Sequence, residues 1–232
     1  VAGVLVERSA RIALAVGAAI AAVGVLLALL LDRLPAFSPP ASRPPVRIWR
    51  RAGVDRACWA GVSAGAWRSL LSSYVPVALE AAAQPASTIG ALVSVANGAS
   101  VAGAALVARV RDRWLDRTFV LGTLAAGGAT GAVVLVADTW WAAAMLLAVS
   151  GLGAGALQTV GPAIAAESVH PEERGDALAA AGTFRAAAMF AAPLAVACAI
   201  VVFPLTATMA AAGALIAASV LAVRAPSPAP PS

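Results

Sequence analysis

Seven long runs of apolar residues divide the chain, and the polar residues collect mainly between them. A helix rises ~1.5 Å per residue, so about 20 apolar residues cross a hydrocarbon layer ~30 Å thick. The period-two alternation typical of barrel strands is absent from these runs. The pattern predicts an all-α integral membrane protein with about seven transmembrane helices, at residues 11–31, 57–80, 86–108, 118–137, 140–167, 176–202 and 204–223.

Composition and charge agree with this prediction. Of the 232 residues, 61% are hydrophobic and 12% are charged, whereas soluble domains are about half apolar and a quarter charged. The formal net charge is +5, but the cations lie mainly in short loops rather than along one stripe, which argues against nucleic acid as a partner. Cys58 and Cys198 lie in separate apolar runs. They predict packing residues rather than a disulfide, and no metal or cofactor is predicted.

The arginines predict how the helices are oriented. Twelve of the sixteen lie in residues 32–56, 109–117, 168–175 and the C-terminal tail, while the opposite side has Arg8 and Arg11. By the positive-inside rule, the linker and the C-terminus face the cytoplasm of a cell membrane. The turns EAAAQPAS, ADTW and VVFP then lie outside.

The connection at 32–56 separates two regions of the chain. It contains five prolines, which resist helix formation and favour an extended spacer. The predicted organisation is therefore residues 1–31 as the end of an N-terminal half, with a helix stub and one transmembrane helix; 32–56 as a cytoplasmic linker; 57–224 as a six-helix transmembrane bundle; and 225–232 as a disordered tail.

Ionisable and amide side chains at membrane depth are confined to four of the seven spans. They are Arg68 and Tyr74 in the second span, Asn97 in the third, Gln158 in the fifth and Arg185 in the sixth. A charge at mid-membrane costs ~3 kcal/mol on insertion scales, so it normally faces a cavity or a partner. These five side chains therefore predict a polar cavity that binds a solute of anionic or hydrogen-bonding character.

Structural roles compete with this hypothesis. Arg68 could snorkel to an interface, although it lies about eleven residues into its span. Arg185 could equally pair with Glu167 or with a loop carbonyl, and Tyr74, Asn97 and Gln158 could be hydrogen-bonding glue between helices. Small residues at G-x-x-x-G spacing, at 61/65, 127/131 and 151/155, indicate general close packing more than a dimer seam.

Residues 61–65 also match the G-x-S-x-G motif of serine hydrolases. That motif requires a strand-to-helix turn, and this copy lies within an apolar helix. Intramembrane serine proteolysis would need a histidine near Ser150, but His170 lies in a charged loop. No catalytic residue is therefore predicted, and we expect no enzyme activity.

Residues 151–193, GLGAGALQTVGPAIAAESVHPEERGDALAAAGTFRAAAMFAAP, resemble the tenth helix, short cytoplasmic loop and eleventh helix of major facilitator superfamily transporters. Within them PEERGDA at 171–177 is similar to the family's P-x-x-R-G-x-A connection. SYVPVAL at 73–79, followed by IGAL at 89–92, is similar to the seventh helix and the start of the eighth. Nearly the whole chain resembles the C-terminal half of such a transporter, preceded by the sixth helix and the central loop.

The resemblance implies roles for individual helices and for one loop. The second, third, fifth and sixth spans correspond to family helices 7, 8, 10 and 11, which line the central cavity. RVRDRWLDR at 109–117 resembles the D-R-x-G-R gating loop through Asp112, Arg113 and Arg117. Leu115 stands where the pattern has glycine, and Asp116 intervenes before the last arginine.

The resemblance implies secondary active transport of a small solute, by uptake or efflux, at a site formed by Arg68, Tyr74, Asn97, Gln158 and Arg185. Alternating access moves two six-helix halves around a shared site. We therefore expect a truncated fragment of a twelve-helix transporter, or a partner chain that supplies the other half. Two alternatives stay open, a non-transporting scaffold or assembly subunit whose arginines pair with acids of a partner, and a nonfunctional remnant.

Overall fold

The computed structural model describes residues 10–29, 47–109 and 114–222, and every regular element within them is helical. Seven α-helices occur in these ranges, which confirms the predicted fold class. In chain order they are α1 (Ala10–Leu29), α2 (Val54–Ala81), α3 (Ala86–Val107), α4 (Leu115–Ala132), α5 (Trp140–Glu167), α6 (Arg174–Ala199) and α7 (Leu205–Ala222). Short 3₁₀ turns occupy Ile48–Arg50, Val133–Leu135 and Pro171–Glu173.

Four helical segments in the described part of the chain are long and apolar enough to cross a membrane. They are Ala86–Val107, Leu115–Leu135, Trp140–Glu167 and Pro171–Ala199. The apolar part of α7 is shorter, and α2 carries Arg68 and four serines, which lower its hydropathy. The last segment has 29 residues, which is ~43 Å of helix. Its charged beginning therefore lies outside an apolar layer ~30 Å thick.

Two long helices, α2 and α5, contact each other and carry the rest of the bundle. α6 packs along α2, whereas α3 and α4 pack along α5. α7 packs mainly against α4. The side chains described on α1 are all exposed, and that helix has no extended contact with the other described helices.

Glycines set the distance between these helices. A Cβ atom added at Gly65 would overlap the backbone of α6 at Arg185, and one added at Gly155 would overlap the backbone of α3 at Ser100. A Cβ added at Gly127 would lie 2.6 Å from the carbonyl oxygen of Gly213 on α7. Each G-x-x-x-G motif thus forms a seam between two helices of this chain, as small residues do in membrane bundles.

Polar contacts gather the loops into two groups at opposite ends of the bundle. At one end, Arg51 Nη1 donates to Glu173 Oε2 at 2.6 Å, and Arg56 on α2 pairs with Asp116 on α4. At the other end, the Gln84 side-chain amide donates to the carbonyl oxygens of residues 137 and 138, at 3.0 and 2.9 Å. The EAAAQPAS and ADTW turns therefore lie at the same end.

Candidate functional site

The structure brings together four of the five residues predicted to bind solute. The first pair joins α2 to α3. Arg68 Nη1 donates to Asn97 Oδ1, and Asn97 Nδ2 donates in turn to the carbonyl oxygen of Val93 at 2.9 Å. The Arg68 side chain is exposed on the surface of the bundle rather than buried within it. Its guanidinium therefore remains accessible from outside this set of helices.

The second group joins α6, α5 and α3. Arg185 Nη2 donates to Gln158 Oε1 at 3.3 Å, and Gln158 Nε2 donates to Ser100 Oγ at 3.3 Å. Both hydrogen bonds are slightly longer than the usual ~2.7–3.2 Å. Arg185 and Gln158 are half-buried.

The two groups form one polar row across the middle of four helices. On α3, Asn97 and Ser100 are three residues apart and so lie on the same face. On α2, Gly65 lies against the backbone of Arg185. Arg68 is three residues further along the same helix. α2, α3, α5 and α6 are the helices that the sequence predicted to be polar.

A small cavity lies next to the Arg185–Gln158 pair, between α2, α5 and α6. Its volume is about 110 Å³, and its walls include Gly61, Gly161, Pro162 and Gly182. A cavity of this volume can hold water. Pro162 has no backbone N–H to donate to the carbonyl of residue 158, and such freed carbonyls in membrane helices are commonly hydrated.

The charges in this row have no counter-ion among the residues that the structure describes. In the described ranges, Arg68 and Arg185 each bond to a neutral amide oxygen, and neither makes an ion pair with a carboxylate. Each guanidinium has five N–H donors, so most of its donors remain available. The row can therefore accept an anionic group, which would balance the charge that membrane burial makes costly.

For two of the five predicted residues, the structure gives surroundings that the sequence left open. Tyr74 is half-buried and packs against the hydrophobic core, and its hydroxyl makes no hydrogen bond to any described residue, so the structure does not join it to the row. Arg185 pairs with Gln158 rather than with Glu167. Ser100 belongs to the row although sequence reasoning overlooked it. Its only signal was a position one turn from Asn97.

The predicted gating loop is only partly described. Asp112 and Arg113 lie outside the described residues. Arg117 lies in the first turn of α4, and its guanidinium stacks on the Trp114 ring at 4.6 Å. Asp116, which interrupts the gating pattern, forms the ion pair with Arg56. The first turn of α4 is thus tied to the beginning of α2, and the gating role of the loop stays a prediction.

The residues that suggested a hydrolase have structural contacts. Ser63, in the G-x-S-x-G match, is buried within α2 and lies 3.0 Å from the Ser219 hydroxyl. Ser150 is buried and accepts a hydrogen bond from the Trp67 indole at 3.2 Å. His170 is exposed in the loop between α5 and α6. Neither serine occupies the strand-to-helix turn that a nucleophile elbow requires.

Comparison with protein families gives a match to the family model described as Major Facilitator Superfamily, over residues 57–232. The match covers about three quarters of the chain, from the first turn of α2 onward. No curated protein and no solved structure matches.

Proposed function

The chain belongs to the Major Facilitator Superfamily, and on that premise we propose that it takes part in secondary active transport of a small anionic solute, by uptake or efflux. It is a multi-pass membrane protein. The observation that supports an anionic solute is the pair of mid-helix arginines whose described partners are neutral amides. A solute carboxylate or phosphate would supply the missing negative charge.

The proposed roles follow from the exposure of each side chain. Arg68, which is exposed, makes the first contact with the solute and can form the bidentate hydrogen bonds that a carboxylate accepts. Arg185, which is half-buried, holds the solute against Gln158 and Ser100. Asn97 keeps the Arg68 side chain directed along α3.

We also propose that a second bundle of helices covers α3 and α6. In the 18-residue apolar stretch of α3 only 17% is buried, and the value for α6 is also 17%. The corresponding values are 56% for α4 and 50% for α5. α3 and α6 also carry Asn97 and Arg185. A second six-helix half, in a longer chain or in a partner chain, would enclose the polar row and allow alternating access.

The proposed location is the cell membrane, with the Arg51–Glu173 end of the bundle in the cytoplasm. This end holds the loops richest in arginine, which the positive-inside rule places on that side. Cysteine accessibility would test it. A cysteine introduced at residue 172 should react with a membrane-impermeant maleimide only in inverted vesicles, and one at residue 138 only in intact cells.

Transport assays of arginine variants would test the function. In the full assembly reconstituted into liposomes, we expect Arg68→Ala to reduce flux of small carboxylates to background, because the transported anion loses its first cationic contact. Arg185→Ala should have a similar effect, and Arg68→Lys should restore part of the flux because it restores the charge. Insertion and the elution profile of the protein should be unchanged.

Matched controls lie close to each arginine. Ser72→Ala on α2 and Thr183→Ala on α6 each remove a hydroxyl that bonds only within its own helix. Both should transport normally. Normal flux in Arg68→Ala would contradict the assignment, whereas flux of small amines in place of carboxylates would contradict the anionic class.

The exposed faces of α3 and α6 equally fit a second function, that of an assembly subunit. In this case carboxylates of a partner protein, rather than a solute, pair with Arg68 and Arg185. A stoichiometric partner that is lost in the Arg68→Glu variant, together with no solute flux, would favour this function over transport.

A further inference from the structure

A large apolar groove lies between α2, α6 and α7, away from the polar row. Its volume is about 830 Å³, within the range of small-molecule and cofactor sites, ~300–1,000 Å³. Trp59 and Leu70 line it on α2, Ala192 on α6, and Ala211 and Leu215 on α7. The groove exists because α7 packs mainly on α4 and makes few contacts with α2 and α6.

The interior of the groove offers almost no free polar groups. Its two hydroxyls belong to Thr208 and Ser219, and each donates to a carbonyl oxygen of the preceding turn, at 3.2 and 2.7 Å. A polar occupant would therefore lose hydrogen bonds to water without replacing them. An acyl chain would lose none, and it reaches the groove directly from the bilayer.

One end of the groove is bordered by aromatic and cationic side chains. Phe184, one turn before the groove residue Ala188 on α6, packs against the Trp49 ring with 6.1 Å between centroids. The Arg50 guanidinium stacks on Trp49 at 4.9 Å, and Arg47 is exposed nearby in the chain.

Unlike Arg51 and Arg56, these two arginines make no ion pair with a described residue. On the opposite wall, the indole N–H of Trp59 has no hydrogen-bond partner in the described ranges. Two cations without an ion-pair partner among the described residues thus lie beside the end of the groove, and an indole N–H donor lies in its wall.

We propose that this groove binds a phospholipid with an anionic headgroup. An acyl chain lies between α2, α6 and α7, and the phosphate contacts Arg47 and Arg50 beside Trp49. Arginine near a membrane surface contributes ~1 kcal/mol toward an anionic lipid, and basic pockets between helices hold such headgroups. The site is separate from the polar row and does not depend on which solute is transported.

Native mass spectrometry of the purified full chain would test the site, with phosphatidylglycerol and phosphatidylcholine of equal chain length as probes. Two arginines predict about 10- to 30-fold preference for the anionic lipid. In the double variant Arg47→Gln/Arg50→Gln the preference should disappear. Arg117→Gln is the matched control, because Arg117 also stacks on a tryptophan but lies at the start of α4. It should keep the preference.

The apolar part of the site is tested separately. Ala192→Phe and Ala211→Phe fill the groove from opposite walls and should reduce retention of both lipids, while soluble glycerol phosphate should not compete. Equal retention of the two lipids by the wild type would overturn the proposal. So would an equal loss in Arg117→Gln, which would indicate a general surface potential, or unchanged retention in both filled variants.

Discussion

Two helices of the bundle, α4 and α7, pack against their neighbours in different ways. α4 lies against α5 where glycine faces glycine, and a Cβ added at Gly153 would lie 2.5 Å from the carbonyl oxygen of Gly122. α7 faces α2 and α6 with alanines, and the 830 Å³ groove remains between them. Its hydrogen bond to α2 is the Ser63–Ser219 pair. Absence of a Cβ on both helices thus permits backbone contact, whereas the α7 residues that line the groove include no glycine.

The contact between α4 and α5 is the closed side of the bundle. Adding bulk there should have the largest effect. Gly153→Val would drive its side chain into the backbone of α4, with Ala126 N at 2.8 Å from the new Cβ. Overpacking against atoms that cannot move away costs ~1–3 kcal/mol or more, so we expect a loss at the upper end of that range. Denaturation in mixed micelles measures this loss as a change in the free energy of unfolding.

The groove between α2, α6 and α7 is the open side of the bundle. The same added bulk should be tolerated there. Ala192→Val points into the groove, and we expect a change within about 0.5 kcal/mol. Gly128→Val is the control on α4 itself, because a Cβ there meets nothing within 4 Å. Equal destabilisation by Gly153→Val and Ala192→Val would remove the distinction between a closed and an open side.

Removing the polar link between α2 and α7 should have a smaller effect. Interhelical hydrogen bonds in membranes average ~0.6 kcal/mol and reach ~1.7 kcal/mol, so Ser219→Ala should cost about that much. Ser94→Ala, whose hydroxyl bonds within its own helix, should cost less. A double-mutant cycle with Ser63→Ala isolates the pair. Additive losses in this cycle would show that the two serines do not stabilise each other.

The smallest effect should be a pH dependence at the end of the open side. The hydrogen bond from Arg51 holds the pKa of Glu173 below its ordinary value, and the charge of His170 acts in the same direction. The contact therefore stabilises the fold above pH 4.5, the ordinary value of the carboxyl. The stabilisation is lost as pH falls through the lowered value.

Comparison with Glu173→Gln measures this contact. The melting temperature of the wild type should exceed that of the variant at neutral pH, and the difference should vanish in acid. Arg51→Gln should behave as Glu173→Gln does. A difference that is independent of pH would indicate packing rather than an ion pair.

Much of the candidate site could be predicted from the sequence because isolated ionisable and amide residues stand out in apolar runs. Arg68, Asn97, Gln158 and Arg185 were identified in this way, and the structure places all four in one row. Tyr74 was grouped with them by depth alone, but the helix turns its side chain toward the core. Ser100 was missed because serine is common in such helices and only its contact with Gln158 distinguishes it.

The sequence by itself determined the number of helices, their order and the four that carry ionisable or amide side chains at membrane depth. These properties depend on runs of neighbouring residues whose length is measured against the thickness of a bilayer. The tertiary structure decided which helices touch, which partner each arginine has and where a groove remains open. Those features depend on how far each helix is rotated about its axis and on how closely its backbone approaches another. Contacts between residues far apart in the chain, such as Gly65 with Arg185 and Gly155 with Ser100, fix both quantities.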